Sequence, residues 1–413
     1  MKRILVVAQG TYGDVFPMLA LAKCLQEAGH QVTVAVEDEF LSKAEAQGLQ
    51  AFVYIEGVLS GVQAQPLANT EAVMNIVAAA TPQAYRKLFY WIKENPVDLV
   101  IRHFFDMAAI VLVKKLNLPY VNVFLSGASL FSRYDLPYSE DFKWLLRLAK
   151  IPGLVRWAMK LAFWNMLGGS LKKYTAFCRL QGVVAQVPFT EISPYHNLLM
   201  CSRLLFPPQP DWPENITVTG YAFLEQAGYA EAEFSRFERV VSNLPELPII
   251  LTLGSSGLDR EVEIYRQAVS SLRRVYPTTP LVIIAHNRIK NELEGLNVMV
   301  FDRIDYARAF PYARLIYHQG GLGTTMEALR SGRPQVIVSR LADRPDNAKR
   351  IERLGCGLYE PDLSIAGIER SQTLLSLETL QKCREAAQYI KLTPWKILAR
   401  EALQDYLHAK ESR

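Results

Sequence analysis

Short apolar runs alternate along the chain with polar loops and with segments whose apolar residues recur at helical spacing. Arg3 to Ala8 is such a run, Gln9 to Asp14 is the loop that follows it, and Pro17 to Ala28 carries apolar residues on one helical face. The next apolar run is Gln31 to Val36, and further runs occur at Asp98 to Ile101 and Tyr120 to Phe124. This order predicts a parallel, doubly wound α/β sheet, which binds ligands at the carboxyl ends of its strands.

The second half of the chain contains a glycine-rich turn in the same kind of pattern. Leu315 to Tyr317 predicts a buried strand, three glycines lie between residues 320 and 323, and a helix is expected from about Thr324 to Ser331. Glycines let the backbone approach a ligand, and a helix start offers unpaired N–H groups, so the turn predicts a phosphate or diphosphate site. It has neither the Lys-Ser/Thr of a P-loop nor the GxGxxG spacing, which disfavours an NTPase or a dehydrogenase.

Composition narrows the class of protein. A chain of 413 residues with 50% apolar and 21% charged residues suits two globular domains. The five scattered cysteines form no CxxC pair, which favours a reducing, cytoplasmic location over a zinc site or a disulfide framework. The opening MKRILVVA is interpreted as a first strand rather than a signal peptide, and we find no uncharged run of about 20 residues. Net charge is +5 without a basic cluster interleaved with aromatics, so nucleic acid is not an expected partner.

The continuation of the glycine turn is more specific. Glu327 lies eight residues after Gln319, and ADRPDNA, residues 342 to 348, follows the apolar run Gln335 to Val338. Over residues 298 to 357 the sequence resembles the nucleotide-sugar-dependent glycosyltransferases of family 1, which have the GT-B fold. GTYGDVFPMLALAKCLQEAGHQVTV, residues 10 to 34, is similar to the N-terminal motif of that family, in the form with Asp that its sterol and glycopeptide-antibiotic branches carry.

This resemblance implies two Rossmann-like doubly wound domains that face a cleft. The expected divisions are an acceptor-binding domain over 1–225, a nucleotide-sugar-binding domain over 226–390, and a C-terminal helix over 391–413 that packs back on the first domain. The implied activity is inverting transfer of a hexose from a UDP- or TDP-sugar to a hydroxyl of a hydrophobic small molecule or lipid. No metal or other cofactor is expected, because a helix N-terminus takes the place of the cation and the sequence has no DxD motif.

The acceptor site is expected around the loop after the first strand. By resemblance, Asp14 is the general base that removes the acceptor's hydroxyl proton, and Thr11, Tyr12 and His103 contact the acceptor. Without the resemblance, capping of the following helix is the favoured interpretation of Asp14. Members with a His base orient it with an Asp where His103 stands here, so that pair is absent in its usual form. His103 lines the pocket or is a satisfied core residue, and the sequence does not decide between them.

The donor site is expected in the second domain. A Ser-containing turn after the strand in LPIILTLGSSG and the glycine turn would hold the donor diphosphate, Arg303 would stack on the base, and Glu327 would accept from the ribose hydroxyls, although a first-turn Glu is also favoured by the helix dipole. Asp343 would grip sugar hydroxyls. Arg344, where Gln is usual, would bind a hydroxyl or a sugar carboxylate, or pair with Asp343 or Asp346. The diphosphate residues implied are Ser255, Ser256, His318, Gln319, Gly321, Gly323, Thr324 and Thr325.

Residues 126 to 206 are rich in aromatic residues, among them Trp144, Trp157 and Trp164, and the resemblance places the acceptor pocket there. Arg156 and Lys160 lie one helical turn apart. A buried helix whose two cations reach water is the favoured interpretation, and an interfacial helix in peripheral contact with a membrane is the alternative. Two other functions stay open: a GT-B isomerase or donor hydrolase, and a non-catalytic relative that binds nucleotide or lipid and supports a partner enzyme.

Overall fold

The structure is a computed structural model. It describes residues 1–63, 70–138, 168–185, 191–225, 230–253, 261–285, 291–293, 298–302, 304–340 and 343–408. These residues form two compact units. The first draws its described residues from Met1–Leu136, Trp144–Leu224 and Pro394–Arg413, and the second draws them from Pro137–Lys143 and Glu225–Thr393.

The first unit is built on a seven-stranded sheet in the order β3-β2-β1-β4-β5-β6-β7, and every pairing is parallel. Its central strands are buried from end to end, because helices cover both faces of a parallel sheet. The strands are β1 (Arg3–Val7), β2 (Gln31–Glu37), β3 (Gln50–Ile55), β4 (Leu99–His103), β5 (Tyr120–Phe124), β6 (His196–Leu199) and β7 (Ile216–Val218).

The helices of the first unit follow the strands in alternation. The C-terminal helix packs against the first helix and against β6 and β7, and its Ala399 and Leu403 are fully buried. The helices are α1 (Tyr12–Glu27), α2 (Leu41–Ala46), α3 (Val58–Gln63), α4 (Thr70–Glu94), α5 (Met107–Leu116), the helical residues 168–180 as α6, and α14 (Trp395–His408).

The second unit has a six-stranded parallel sheet in the order β10-β9-β8-β11-β12-β13. Its strands are β8 (Ile249–Thr252), β9 (Leu281–Ile284), β10 (Met299–Phe301), β11 (Leu315–His318), β12 (Gln335–Ile337) and β13 (Gly357–Tyr359). Its helices are α7 (Glu231–Val241), α8 (Glu261–Val275), α9 (Tyr306–Ala309), α10 (Leu322–Ser331), α11 (Arg344–Arg353), α12 (Ile365–Ser371) and α13 (Leu377–Leu392).

Two doubly wound parallel sheets confirm the expected fold class. Each sheet reverses its strand order once, between β1 and β4 in the first unit and between β8 and β11 in the second. The loops after these strands diverge to opposite faces of the sheet, which leaves a crevice at the carboxyl ends where such folds bind ligands. The loop after β1, the end of β4 and the loop after β11 are therefore the places where functional side chains are expected.

The start of α1 differs from the sequence prediction. The helix begins at Tyr12 rather than at Pro17, so Asp14 is the third helical residue and not part of a preceding loop. The Asp14 carboxylate accepts a hydrogen bond from the Thr11 backbone N–H, and the Thr-x-x-Asp spacing forms a capping box that nucleates the helix ahead of the proline. Among the described residues, no helix combines the length and the apolar character needed to cross a bilayer.

Candidate functional site

Asp14 lies at the crevice of the first unit, between the ends of β1 and β4. Its Oδ2 accepts hydrogen bonds from the Thr11 backbone N–H at 2.8 Å and from the Thr11 hydroxyl at 2.9 Å. Its side chain is 35% exposed. Burial raises the pKa of the carboxyl, and the two hydrogen bonds from Thr11 oppose that rise. Capping and general-base chemistry are therefore compatible here, because one oxygen caps the helix while Oδ1 faces His103.

His103 ends β4 and is almost completely buried, with 1% of its surface exposed. Its Nε2 lies 3.9 Å from Asp14 Oδ1, and neither ring nitrogen has a hydrogen-bond partner among the described residues. Burial, with a smaller contribution from the charge of Arg102, lowers the pKa of the imidazole to about 3, so the ring is neutral. His103 is thus not a satisfied core residue, and its contact with an acceptor stays a prediction.

Thr11 and Tyr12 have roles in the helix start that the sequence did not predict. The Tyr12 hydroxyl donates to Glu39 Oε1 at 2.6 Å, and its ring packs edge-on against Phe16 and Phe40. Gly10 precedes them with φ +124°, and a Cβ there would lie 2.5 Å from Asp14 Oδ2. A glycine at this position therefore lets the chain turn tightly enough to place the Asp14 carboxylate. Contact of Thr11 and Tyr12 with an acceptor stays a prediction.

The crevice of the second unit contains the glycine turn between β11 and α10. Gly320 has φ +86°, and a Cβ on it would lie 2.4 Å from Ile337 Cγ2 of the neighbouring strand, so only glycine fits. Gly321 is the N-cap of α10. The first intrahelical bond runs from Thr325 N–H to the Gly321 carbonyl, and an α-helix leaves the N–H groups before it, at Leu322, Gly323 and Thr324, unpaired. The turn is a ready site for an anion.

The structure revises the prediction for His318. The side chain is completely buried at the end of β11. Its Nε2 lies 2.8 Å from Gln335 Oε1, and its Nδ1 accepts from the Gly320 N–H at 3.0 Å. Both ring nitrogens are occupied, so His318 positions the glycine turn instead of contacting a diphosphate. Burial lowers its pKa to about 4, which keeps the ring neutral.

Thr325 is revised for the same reason, whereas contact of Gln319 and Thr324 with a diphosphate stays a prediction. Both the N–H and the hydroxyl of Thr325 donate to the Gly321 carbonyl at 3.0 Å, so neither is available to a phosphate. The Gln319 amide donates to Thr324 Oγ1 at 3.3 Å. That contact leaves the Thr324 hydroxyl hydrogen free to point at a ligand, because the oxygen acts as the acceptor.

Glu327 lies one turn into α10 and is partly buried, with 18% of its side chain exposed. Its Oε2 lies 2.6 Å from the Arg330 guanidinium. Burial is the main cause that raises the pKa of Glu327 to about 7, and the negative charge of Asp305 adds to the rise while Arg330 opposes it. Burial therefore disfavours the ionised form of Glu327, and hydrogen bonds from ribose hydroxyls would stabilise that form.

Asp343 and Arg344 begin α11, beside the glycine turn. Asn347 Nδ2 donates both to the Gly320 carbonyl at 3.0 Å and to Asp343 Oδ2 at 3.1 Å, which ties the turn to the predicted sugar carboxylate. Arg344 donates to the Ser339 hydroxyl at 3.2 Å. The pairing of Arg344 with Asp346 that the sequence left open is not the one present, because Asp346 binds Arg350 at 2.8 Å with both side chains buried.

Several predicted residues lie outside the described residues, namely Ser255, Ser256 and Arg303, as do Trp144, Trp157 and Trp164 and the Arg156 and Lys160 pair. In the sequence the two serines come three and four residues after Thr252, the last residue of β8, which is the other strand of the second crevice. Within the described part of the chain, no group of three or more His, Cys, Asp or Glu side chains is arranged to hold a metal ion.

Sequence reasoning missed the parts played by Asn347 and Gln335. Asn347 is completely buried, and its Oδ1 has no hydrogen-bond partner among the described residues. Its place four residues after Asp343, one turn along α11, was a usable signal because side chains at that spacing share a helix face. Gln335 begins the strand next to His318, and only the register of β11 with β12 reveals that contact.

Two family descriptions match the chain, one in each unit. Residues 4–119 match the glycosyltransferase family 28 N-terminal domain. Residues 280–390 match the C-terminal domain described as erythromycin biosynthesis protein CIII-like. The two matched segments contain both crevices, since they include Asp14 and His103 in the first and the glycine turn with Asp343 in the second.

Two curated proteins of similar sequence are glycosyltransferases by name. The sterol 3-beta-glucosyltransferase of Vanderwaltozyma polyspora is 26% identical over 88% of this chain, but the match spans only 31% of that longer protein. The O-mycaminosyltylonolide 6-deoxyallosyltransferase of Streptomyces fradiae is 26% identical over 86% of this chain and 84% of its own length. Among solved structures, the glycotransferase of kitacinnamycin superposes with a TM-score of 0.74 at 18% identity, over 98% of each chain, and shares the fold.

Proposed function

This chain belongs to the family 1 glycosyltransferases of the GT-B fold, and from that premise we propose that it transfers a sugar from a nucleoside diphosphate sugar to a hydroxyl of a hydrophobic acceptor. The observation that carries the proposal is the second crevice. There a glycine turn presents the unpaired N–H groups of α10, with Glu327 one turn further and Asp343 tied to the same turn by Asn347. The N–H groups suit a diphosphate, Glu327 suits a ribose, and Asp343 suits a sugar.

In the donor half, the diphosphate lies at the start of α10, where Leu322, Gly323 and Thr324 donate and the helix dipole favours negative charge. The same donors stabilise the nucleoside diphosphate as it departs with the electron pair of its bond to the anomeric carbon. Glu327 accepts from ribose hydroxyls, and Asp343 accepts from sugar hydroxyls. The donor we propose is a UDP- or TDP-sugar, and Gln319 contributes a neutral hydrogen bond to its diphosphate.

In the acceptor half, Asp14 takes the proton from the acceptor hydroxyl as its oxygen bonds to the anomeric carbon. Oδ2 is held by Thr11, and Oδ1 is the oxygen that receives the proton. Partial burial suits this role, because it raises the pKa of the carboxyl and makes it a stronger base than a solvated one. Attack opposite the leaving diphosphate inverts the configuration at the anomeric carbon.

The acceptor we propose has a large apolar body. Two observations support this. By name, one similar curated protein acts on a sterol and another on O-mycaminosyltylonolide. Residues 126 to 206 of this chain are also rich in aromatic residues. The five cysteines are all buried and free, in keeping with the reducing cytoplasmic location we propose. Peripheral membrane contact through Arg156 and Lys160 stays a hypothesis. A vesicle-binding assay with anionic lipids would test it.

The experiment is release of nucleotide from UDP-, TDP- and GDP-sugars, measured with and without a mixed set of sterol, polyketide, carotenoid and phenolic acceptors. We expect one donor to release nucleotide only when an acceptor is present, with a glycosylated product detected by mass spectrometry. Release without an acceptor would favour the donor hydrolase instead. Binding of nucleotide with no release from any donor would favour the non-catalytic relative and contradict the proposal.

A further inference from the structure

His103 is a buried polar side chain beside Asp14 that the proposed mechanism leaves unused. Both ring nitrogens lack a hydrogen-bond partner among the described residues, although the ring is 1% exposed. An unsatisfied buried polar group of this kind is costly and calls for an explanation. The ring is held edge-on against Phe104 at 4.9 Å between centroids and directs Nε2 at Asp14 Oδ1, 3.9 Å away.

The geometry favours one tautomer. A carboxylate oxygen 3.9 Å from Nε2 repels a lone pair and attracts an N–H, so the proton of the neutral ring belongs on Nε2. The distance exceeds that of a direct hydrogen bond, but catalytic hydrogen bonds in ligand-free enzymes are often long and shorten when substrates bind. A single bridging water also spans such a gap.

We propose that His103 is a positioning residue for the transfer reaction, whose Nε2–H bonds Asp14 Oδ1, directly or through one water, and holds the carboxylate ionised and aimed at the acceptor hydroxyl. Thr11 grips the other oxygen, Oδ2, so the two contacts together fix the plane of the carboxylate. This inference rests on the proposed function, in which Asp14 is the base.

The imidazole does not relay the proton. With a pKa lowered to about 3 by burial, His103 is a weaker base than Asp14, whose own pKa is raised by burial, so the acceptor's proton stays on the carboxyl. Two nearby charged side chains have hydrogen-bond partners of their own. Arg102 donates to Asn122 Oδ1 and to the Phe104 and Asp106 carbonyls, and Glu39 accepts from Tyr12.

Three substitutions separate this role from a structural one. His103→Gln places an amide N–H close to the position of Nε2, His103→Asn places one near Nδ1, and His103→Leu fills the space without a polar group. Asp14 titration is measured without any substrate, from the pH dependence of carbodiimide labelling of Asp14 followed by peptide mass spectrometry. Acceptor-dependent nucleotide release then gives kcat and KM for the same variants, with thermal unfolding as the folding control.

We expect His103→Leu to raise the titration midpoint of Asp14 by about one pH unit, because it removes a donor to the charged form. We expect kcat to fall about 10-fold to 100-fold with KM for the acceptor within about 2-fold, because a misplaced base slows the chemical step. His103→Gln should restore both values and His103→Asn neither. Leu and Gln variants with the same Asp14 midpoint would overturn the proposal, as would equal rescue by Asn. A wild type that transfers no sugar, while the Leu and Gln variants still differ in labelling, contradicts the proposed function alone.

Discussion

Glu327→Gln is expected to stabilise the folded chain at alkaline pH while it weakens nucleotide binding. Glu327 sits in α10 with 18% of its side chain exposed, and burial with the nearby charge of Asp305 raises its pKa to about 7 against the opposing charge of Arg330. The substitution removes the charge of Glu327 and keeps the shape.

The magnitude follows from the two protonation equilibria. The folded pKa of about 7 lies above the ordinary value of 4.5, so between these values the folded chain holds a proton that the unfolded chain has lost. The contribution of Glu327 to the free energy of unfolding is therefore fully present below pH 4.5 and is lost as pH rises through 7. The loss amounts to about 3 kcal/mol, of which about 2.5 kcal/mol falls between pH 5 and pH 8.

The assay is urea-induced unfolding at pH 5 and pH 8, followed by far-UV circular dichroism. The unfolding transition to be fitted is the one that moves to higher urea when a nucleoside diphosphate is added. From pH 5 to pH 8 the free energy of unfolding of wild type should fall by about 2.5 kcal/mol relative to that of Glu327→Gln. Nucleotide affinity at pH 8 should fall about 10-fold to 100-fold in the variant, since hydrogen bonds to a charged acceptor are lost.

Glu352→Gln is the matched control for this comparison. Glu352 pairs with Lys349 at the same 2.6 Å and the same three-residue spacing, and its other oxygen accepts from the Tyr359 N–H. Its substitution should lower stability slightly and leave nucleotide affinity unchanged. A wild type whose stability relative to Glu327→Gln is the same at both pH values would refute the assigned environment of Glu327, and unchanged affinity would refute its contact with the nucleoside.

Two further substitutions test the glycine turn and the sugar contact. Gly320→Ala should lower the free energy of unfolding of the nucleotide-linked transition by about 3 kcal/mol in urea, because the left-handed backbone and the overlap with Ile337 both oppose a Cβ. Gly321→Ala should lower it by under about 1 kcal/mol, because Gly321 has φ −59° and its Cβ would lie 3.5 Å from the nearest atom. Equal effects of the two alanines would show that the turn is not constrained as described. Asp343→Ala should lower kcat/KM for the nucleotide sugar about 10-fold to 100-fold and leave inhibition by the free nucleoside diphosphate unchanged. If the sugar-free nucleotide weakens by the same factor, Asp343 does not contact the sugar.

Periodicity predicted the sheets well, because central parallel strands are apolar throughout. Tyr120 to Phe124 was predicted at its observed bounds, and β11 ends one residue later than expected. The predicted start of α1 was wrong, because Pro17 was taken as a residue of the first turn. The capping box at Thr11 and Asp14 is the stronger signal, and the proline is accommodated inside the helix.

The site residues divide by how local their contacts are. Glycine at position 320 was predictable, because a turn into a helix needs a residue that tolerates positive φ. The contacts of His318 were not, because its partner Gln335 lies seventeen residues away and meets it only through strand register. The same holds for His103 and Asp14, which the strand order β1-β4 brings together across 89 residues of sequence.

The central claim is that Asp14 is the base for an inverting transfer, and the stereochemistry of the product tests it most directly. The measurement is the anomeric configuration of the product by proton NMR, together with the rate of product formation by wild type and by Asp14→Asn. We expect the configuration opposite to that of the donor, and a rate for Asp14→Asn lower by about 100-fold to 10,000-fold with nucleotide affinity retained. A product with the donor's configuration, or an Asp14→Asn variant as fast as wild type, would contradict the account.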